Sequence, residues 1–404
     1  MGNRLLFLAH RLPYPPDKGD RIRSWHLLEH LARGWRVDLG CLSDDAEDAA
    51  HLPRLRALCG EVHAAPIAIG MRAAARALMR ARPGLPLTLG WFHAPSLRGW
   101  VDAGLAAGRW DAAFVYSSAM APYVMGEAAA GLRRVLDLVD VDSEKWLAYA
   151  ADARFPLRQI WAREGRTLLA FERRAAAIFD RTLLVSEPET ARFAALAPEV
   201  AGRLDHVENG VDLARFAPGA GGPSPYGTAP ALVFTGTMDY RPNVAAVEWF
   251  ARSVMPLLAD TGAEFHIVGA RPSAAVRALA ALPGVKVTGR VADTRPYIAH
   301  AAAAVAPLGI ARGIQNKVLE AMAMGRPVIA TAAAFEGVRA LPGRDLLVAD
   351  GAEATAVAVR AVLRGDYPGL GIAARRAMER GHDWAVTPRR LDAWLAPRLE
   401  AVPA

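Results

Sequence analysis

Cysteine is scarce in this chain: Cys41 and Cys59 are the only two among 404 residues. Two cysteines provide neither a disulfide framework nor the ligand spacing of a zinc site, so we expect a reducing compartment. Long apolar runs are also missing. No stretch approaches the roughly 20 apolar residues that cross a bilayer, and the run Leu5–Ala9 is too short for the core of a signal peptide. These absences predict a cytoplasmic protein.

No nucleic-acid-binding motif occurs, and the arginines are not interleaved with a stripe of aromatic residues, so we expect no nucleic acid partner. The net charge of +7 then leaves an anionic membrane or a phosphorylated substrate as partners. Within Met71–Arg82, the residues Arg72, Arg76 and Arg80 recur every fourth position and would share one helix face. Such a helix can make peripheral contact with the inner face of the cell membrane. It can equally be an ordinary solvated helix, and the sequence leaves both interpretations open.

Short apolar runs alternate with helical patterns along the whole chain. This alternation predicts parallel sheets with right-handed crossovers, and therefore an α/β protein. About six strands fall in each half, and the Gly/Pro/Ser-rich segment Ala217–Pro230 is the best linker between two Rossmann-like domains. The predicted strands are Leu5–Ala9, Val37–Leu42, Val62–Pro66, Ala112–Tyr116, Val135–Leu138, Thr182–Val185, Ala231–Thr235, Phe265–Val268, Val285–Thr288, Ala303–Pro307, Val328–Thr331 and Leu346–Val348.

The segment Arg312–Thr331 carries the strongest functional signal. Its pattern predicts a helix that begins near Ile314–Asn316, a glycine stop at Gly325, and then a strand. The unpaired N–H groups and partial positive charge of a helix N-terminus attract phosphate, and Lys317 adds a point charge. Glu320, one turn further, could accept hydrogen bonds from ribose hydroxyls. The pattern indicates a site for a nucleotide diphosphate, although a polar first turn is also typical of ordinary surface helices.

Ligands of open parallel sheets bind beyond the carboxyl ends of the strands, so we expect binding residues in the segments that follow strands. The loop His10–Trp25 combines Gly19 with a cluster of cations, and Tyr116–Ser118 follows a later strand. Asp140 and Asp142 form a DxD tripeptide, which can hold a divalent metal. The aspartates of this segment can equally cap a helix or pair with nearby cations.

The sequence from Glu320 through Ala-Met-Ala-Met-Gly-Arg-Pro-Val resembles the donor-site motif of glycosyltransferase family 4, a retaining family with the two-domain GT-B fold. In that motif an earlier glutamate contacts the donor sugar, and Arg312 occupies its position here. Arginine there could bind a carboxylated sugar or the diphosphate. Many members also have an arginine where Thr237 stands, which leaves Arg241 as the nearby cation. The backbone near Val291 corresponds to a turn that contacts the nucleotide base.

Four segments together narrow the resemblance to the sugar transferases associated with PEP-CTERM/exosortase systems in exopolysaccharide-producing bacteria. They are His10–Arg23, Asp137–Trp146, Gly236–Asn243 and Gly313–Met324. The resemblance implies two facing domains: an acceptor-side domain of residues 1–212 and a donor domain of residues 213–383. A C-terminal helix over residues 384–404 would cross back to the first domain.

The resemblance also implies roles for individual residues. The expected donor-binding residues are Gly19, Gly236, Val291, Arg312, Gly313, Ile314, Gln315, Asn316, Lys317 and Glu320. The expected acceptor-side residues are Arg11, Tyr14, Lys18, Arg21, Arg23 and Ser117. The expected catalytic residues are Lys317, Arg241 and Asp140.

We therefore expect a metal-independent hexosyltransferase that retains anomeric configuration. Its co-substrate would be a nucleoside-diphosphate sugar, with no further cofactor, and its acceptor a glycan or polyprenyl-linked sugar. Three alternatives remain at this point. They are a nucleotide-sugar 2-epimerase of the same fold, a non-catalytic nucleotide-sugar-binding component of a polysaccharide assembly complex, and a metal-dependent transferase that uses Asp140 and Asp142.

Overall fold

The computed structural model describes residues 3–68, 70, 79–80, 82–309, 311 and 313–395, apart from the side chain of Ala46. The chain forms two compact units. One runs up to Val207 and takes in the segment that begins at Pro388, and the other is Glu208–Thr387. Each unit is built around one parallel sheet.

The sheet of the first unit has seven parallel strands in the order β3-β2-β1-β4-β5-β6-β7. The third strand in this order, β1, is buried on both faces, since the side chains from Leu5 to Ala9 are all 0% exposed. This explains why the strand reads as an unbroken apolar run rather than an alternating one. The strands are β1 Arg4–Ala9, β2 Arg36–Ser43, β3 Glu61–Pro66, β4 Ala112–Tyr116, β5 Arg133–Val139, β6 Arg181–Leu184 and β7 Leu204–His206.

Helices cover the sheet of the first unit. The longest is amphipathic and packs Leu168, Phe171 and Ala175 into the core. The helices described in this unit are α1 Gly19–Leu31, α2 Leu52–Leu58, α3 Leu87–Trp91, α4 Pro95–Ala106, α5 Asp142–Asp152, α6 Leu157–Ile178, α7 Glu187–Leu196 and α15 Arg390–Leu395.

The sheet of the second unit has six parallel strands in the order β10-β9-β8-β11-β12-β13. The strands are β8 Ala231–Thr235, β9 Glu264–Val268, β10 Val285–Gly289, β11 Ala303–Ala306, β12 Val328–Ala330 and β13 Leu347–Val348. The helices described here are α8 Arg241–Trp249, α9 Ala274–Ala278, α10 Arg295–His300, α11 Asn316–Ala323, α12 Ala332–Phe335, α13 Ala352–Leu363 and α14 Leu370–Gly381. A short π-helical stretch, Phe250–Val254, extends α8.

The predicted α/β class with two Rossmann-like sheets is confirmed, and all twelve predicted strands overlap observed ones. The prediction lacked β7, whose three residues Leu204–His206 include an aspartate and a histidine. At the C-terminus, α15 docks on the first unit, where Arg133 donates to the carbonyl of Trp394. Residues 396–404 of the predicted last helix lie outside the described residues.

The predicted basic helix Met71–Arg82 also falls largely outside the described residues, including Arg72 and Arg76. Among the helices that the structure does describe, none is both long enough and apolar enough to span a bilayer.

Candidate functional site

Each sheet has one point where the strand order reverses. In the first unit it lies between β1 and β4, and in the second between β8 and β11. At such a point the loops leaving the two strands diverge and open a crevice that commonly holds a ligand. The predicted donor residue Gly236 follows β8, and the predicted donor residues Gly313, Ile314, Gln315, Asn316, Lys317 and Glu320 follow β11. The predicted acceptor-side residues Arg11, Tyr14 and Lys18 follow β1, and Ser117 follows β4. The sequence-predicted residues thus gather at two switch points, one in each unit.

The N-terminal end of α11 is polar and lacks a side-chain cap. Gln315 is its N-cap residue, and the side-chain amide of Gln315 donates back to the carbonyl of Gly313 over 3.2 Å instead of bonding the helix N–H groups. Gly313 has φ of +61°, a left-handed conformation that favours glycine. Ile314 is 5% exposed and fastens the loop to the core. The amide of Val318 donates to the carbonyl of Gln315 over 2.9 Å, whereas the amides of Asn316 and Lys317 have no bond to the described part of the chain and keep the capacity to bind an anion.

Lys317 lies in the first turn of α11 and is held by two contacts. Its Nζ donates to Oδ1 of Asn243 over 3.0 Å and lies 4.9 Å from the ring centroid of Phe234. Burial lowers the pKa of Lys317 to about 8, and the charge of Glu320 only partly offsets this. The ammonium is thus fixed in place and sparingly solvated, so an approaching anion would meet a poorly screened charge.

Glu320 follows one turn later on the same helix. Burial raises the pKa of Glu320 to about 7, although the charges of Lys317 and Arg215 pull it down. The carboxyl therefore changes charge near neutral pH. In either protonation state it retains an oxygen that can accept a hydrogen bond from a hydroxyl group.

Three glycines line the carboxyl ends of neighbouring strands in the second unit. The amide of Gly236 donates to Val268, and the amide of Gly269 donates to the carbonyl of Gly289, each over 3.1 Å. A Cβ on Gly269 would stand 1.6 Å from the carbonyl oxygen of Gly236, and one on Gly236 would stand 2.7 Å from Nδ2 of Asn243. Any side chain at either position would collide with its neighbour, so the backbone itself forms this edge of the crevice.

The segment of residues 209–212, with the sequence Asn-Gly-Val-Asp, supports α11. Nδ2 of Asn209 donates to Oδ1 of Asn316 over 3.3 Å. The carbonyl of Asn209 accepts from Nδ1 of His382 over 2.8 Å, and Nε2 of His382 accepts from the amide of Arg339 over 2.9 Å. Burial lowers the pKa of His382, which keeps the ring neutral and this pattern of bonds intact. Sequence reasoning missed this support because Asn209 and Asn316 are far apart in the chain.

Three further residues were predicted on the donor side. Arg241 is the first residue of α8 and is exposed, and Val291 follows Gly289 and is half-buried. Arg312 lies outside the described residues. The roles predicted for these three residues stay predictions.

Two arginines of the predicted acceptor side are buried in ion pairs. Arg21 bonds Asp48 over 2.9 Å and is 4% exposed. Arg23 makes a two-pronged contact with Asp137, at 2.8 and 3.0 Å, and is 1% exposed. A third bond joins Arg23 to the carbonyl of Val207. These guanidinium groups are engaged by the protein itself, and the acceptor-side role predicted for them stays a prediction.

The other predicted acceptor-side residues surround the loop after β1. Arg11 lies 3.4 Å from a carboxylate oxygen of Asp20, and the ring of Tyr14 packs on Trp25 with 4.9 Å between centroids. Lys18 is the N-cap residue of α1, and Gly19 is its first residue. The side chain of Lys18 is half-buried, and the backbone of Gly19 is exposed.

His10 is a candidate that the sequence prediction missed. It is the first residue after β1, and its ring stacks on Tyr116 with 5.5 Å between centroids. Its Nδ1 is buried and has no hydrogen-bond partner in the described part of the chain. The same holds for Oγ of Ser117, a residue with φ of +78°. Two unsatisfied polar atoms at one switch point are a cue for a polar ligand. The position of His10 directly after β1 was the feature of the sequence that could have marked it as a site residue.

The DxD segment, Asp140 to Asp142, lies at the start of α5. Burial raises the pKa of Asp140 to about 7, and the charges of Asp142 and Glu189 act in the same direction. Asp142 begins α5, and its carboxylate lies 3.8 Å from Nζ of Lys145. Within the residues that the structure describes, no three or more His, Cys, Asp or Glu side chains group as metal ligands do. Asp142 therefore fits the helix-terminus alternative.

Comparisons with known proteins agree with this architecture. Residues 229–365 match the family model described as Glycosyl transferases group 1. No curated protein matches the chain. Among solved structures, sucrose-phosphate synthase from Thermosynechococcus elongatus is similar at 17% identity and a TM-score of 0.69, over 97% of this chain and 98% of that one.

Two more solved structures are similar over nearly their whole length. HepE from Anabaena, solved with UDP-glucose, matches at 14% identity and a TM-score of 0.65, over 97% of this chain and 99% of that one. WaaG, a glycosyltransferase of lipopolysaccharide biosynthesis, matches at 17% identity and a TM-score of 0.63, over 97% of this chain and 100% of that one. These likenesses confirm the GT-B fold class, and residues 229–365 are similar to the family described as Glycosyl transferases group 1.

Proposed function

We propose that this protein is a glycosyltransferase that takes a sugar from a nucleoside-diphosphate donor. One observation carries the proposal: a partly desolvated lysine, Lys317, sits in the uncapped first turn of α11 at the β8/β11 switch point. The ammonium of Lys317, the helix dipole and the backbone N–H groups of Asn316 and Lys317 all favour a diphosphate there. The family match over residues 229–365 and the UDP-glucose complex of the similar HepE support the same donor class.

We further propose a retaining, metal-independent hexosyl transfer of the family 4 type. As the glycosidic bond breaks, negative charge grows on the leaving diphosphate. Lys317 and the α11 terminus would stabilise that charge, with Arg241 as a second cation and Glu320 as an acceptor for ribose hydroxyls. Asp140 belongs to the acceptor side, where a carboxyl with a pKa of about 7 can exchange a proton near neutral pH.

The acceptor we propose is a glycan or polyprenyl-linked sugar in exopolysaccharide biosynthesis, of the kind associated with PEP-CTERM/exosortase systems. The reaction would take place in the cytoplasm. The sequence resemblance supports these finer assignments.

A donor screen tests the proposal. The protein is incubated with UDP-, GDP-, ADP- and dTDP-sugars, and thermal stabilisation and release of nucleoside diphosphate are measured. A ligand that binds only the folded state raises the melting temperature. We expect stabilisation by one base class and slow donor hydrolysis or transfer, both unchanged by EDTA. Loss of turnover in EDTA would favour a metal-dependent transferase.

The same screen separates the remaining alternatives. A new sugar nucleotide formed from UDP-N-acetylglucosamine without acceptor would identify a 2-epimerase. Stabilisation by a nucleotide sugar without hydrolysis or transfer in any acceptor mixture would identify a non-catalytic binding component.

A further inference from the structure

A group of exposed apolar side chains lies in the first unit where α5 joins α6. Phe155, Leu157 and Ile160 are 77%, 48% and 44% exposed. Every residue from 154 to 160 is exposed. Large apolar side chains are exposed singly on most proteins. Three within six residues form an apolar patch, and such patches commonly mark a site of contact with another protein or a membrane.

A second segment lies beside α6. Nη2 of Arg163 donates to the carbonyls of Arg82 and Leu85, at 3.2 and 3.1 Å. Ile160 precedes Arg163 by three residues and so shares its face of α6. The neighbouring segment also carries Met79, which is 80% exposed, more than any other large apolar side chain in the described part of the chain. The hydrogen bonds place the carbonyls of Arg82 and Leu85 beside α6, so the chain that leads from Met79 passes this helix.

The rim of the patch is basic. Exposed arginines flank the apolar side chains, while Asp152 is the one exposed carboxylate between residues 152 and 166. The arginines are Arg80, Arg82, Arg154, Arg158 and Arg166. Within the described chain, Arg154, Arg158 and Arg166 form no ion pair with a carboxylate. Exposed apolar side chains ringed by unneutralised cations match an anionic bilayer, which offers acyl chains beneath negative headgroups.

We infer that the surface formed by Phe155, Leu157 and Ile160, with its arginine rim, docks the protein on an anionic membrane. Phe155 and Leu157 would enter the headgroup boundary while Arg154 and Arg158 stay at the phosphate level. The inference deepens the proposed function and rests on it for its purpose, since a polyprenyl-linked acceptor would be presented at such a membrane. It locates the contact on the α5–α6 junction rather than on the basic segment of residues 71–82 alone.

Vesicle sedimentation of the full chain tests the inference without any donor or acceptor. In low salt, we expect the protein to bind vesicles of phosphatidylglycerol and phosphatidylcholine. Binding to vesicles of pure phosphatidylcholine should be at least tenfold weaker. The triple variant F155S/L157S/I160S should bind at least tenfold more weakly than the parent. The matched control V357S/I372S replaces two exposed apolar residues of the second unit and should bind like the parent.

A charge pair of variants separates the rim from net charge. R154Q/R158Q should weaken binding to anionic vesicles, whereas R252Q/R376Q, which removes two exposed arginines elsewhere, should not. Equal binding by parent and triple variant, or no binding to anionic vesicles, would overturn the inference. So would loss of self-association, rather than of vesicle binding, in the triple variant. If the parent protein binds nucleotide sugar but no vesicle, this inference is wrong and the proposed function still stands.

Discussion

The ammonium of Lys317 lies 3.0 Å from the side-chain oxygen of Asn243, and this contact joins the first turns of α8 and α11, the helices that follow β8 and β11. The same amide uses its nitrogen to donate to the carbonyl of Thr237 over 2.9 Å. Asn243 is 4% exposed. Asn243 therefore holds Lys317 and the glycine turn after β8 in fixed relative positions. Its side-chain oxygen accepts one hydrogen bond and its side-chain nitrogen donates the other.

Asn243→Ala should impair donor binding although Asn243 itself need not touch the donor. Without the amide, Lys317 loses its fixed position and the carbonyl of Thr237 loses its donor, so we expect about tenfold weaker nucleotide binding. Isothermal titration with the nucleotide selected by the donor screen measures this. Ser273→Ala removes a helix cap elsewhere in the same unit and serves as a control for general destabilisation. Unchanged affinity in Asn243→Ala would show that the contact is incidental.

Donor affinity should fall as the pH rises through 8. The pKa of Lys317 is lowered to about 8 by burial, so the free protein loses this positive charge above that pH. Binding a diphosphate must then restore the proton, and the dissociation constant should rise by up to about tenfold per pH unit. Titrations between pH 6.5 and 9.5 measure the profile. Lys317→Arg keeps its charge throughout and should flatten it; an equally steep profile in that variant would assign the dependence to another group.

The buried Arg23–Asp137 pair should matter for stability. Arg23→Met leaves the Asp137 carboxylate buried without its partner and should cost about 3–5 kcal/mol of unfolding free energy. Adding Asp137→Asn removes the stranded charge, and the double variant should recover part of that loss. Arg173→Met, which breaks an exposed pair with Glu199, should leave the urea midpoint nearly unchanged. If Arg23→Met unfolds like the parent and instead loses acceptor turnover, the acceptor-side role predicted from the sequence is the correct one.

The strands were predictable because parallel strands buried on both faces read as apolar runs, and Ala231–Thr235 was located to the residue. The strand Leu204–His206 was missed because its three half-buried residues carry no such run. The start of α11 was also within reach, since Gly313 and Gly325 bracket an apolar stripe. Both glycines adopt positive φ, as a loop entry and a helix stop require.

The partners of polar side chains were not predictable. Arg21 and Arg23 look like ligand-binding cations because they crowd a glycine after a strand. Their actual partners, Asp48 and Asp137, lie 27 and 114 residues away. The bond from Lys317 to Asn243 likewise spans 74 residues. Local spacing indicates which residues share a helix face, but only the packed sheet decides which carboxylate or amide faces them.

The most direct test compares nucleotide binding by two lysine variants. Lys317→Met should weaken binding of the preferred nucleoside diphosphate by about 30- to 1,000-fold, since one charged contact to a diphosphate is worth about 2–4 kcal/mol. Lys286→Met makes the same replacement on a lysine that pairs with Glu264 in the same unit, and should bind like the parent. The dissociation constants of UDP, GDP, ADP and dTDP for all three proteins decide the matter. Equal binding by Lys317→Met and the parent would contradict the account, as would a failure of all four nucleotides to bind the parent.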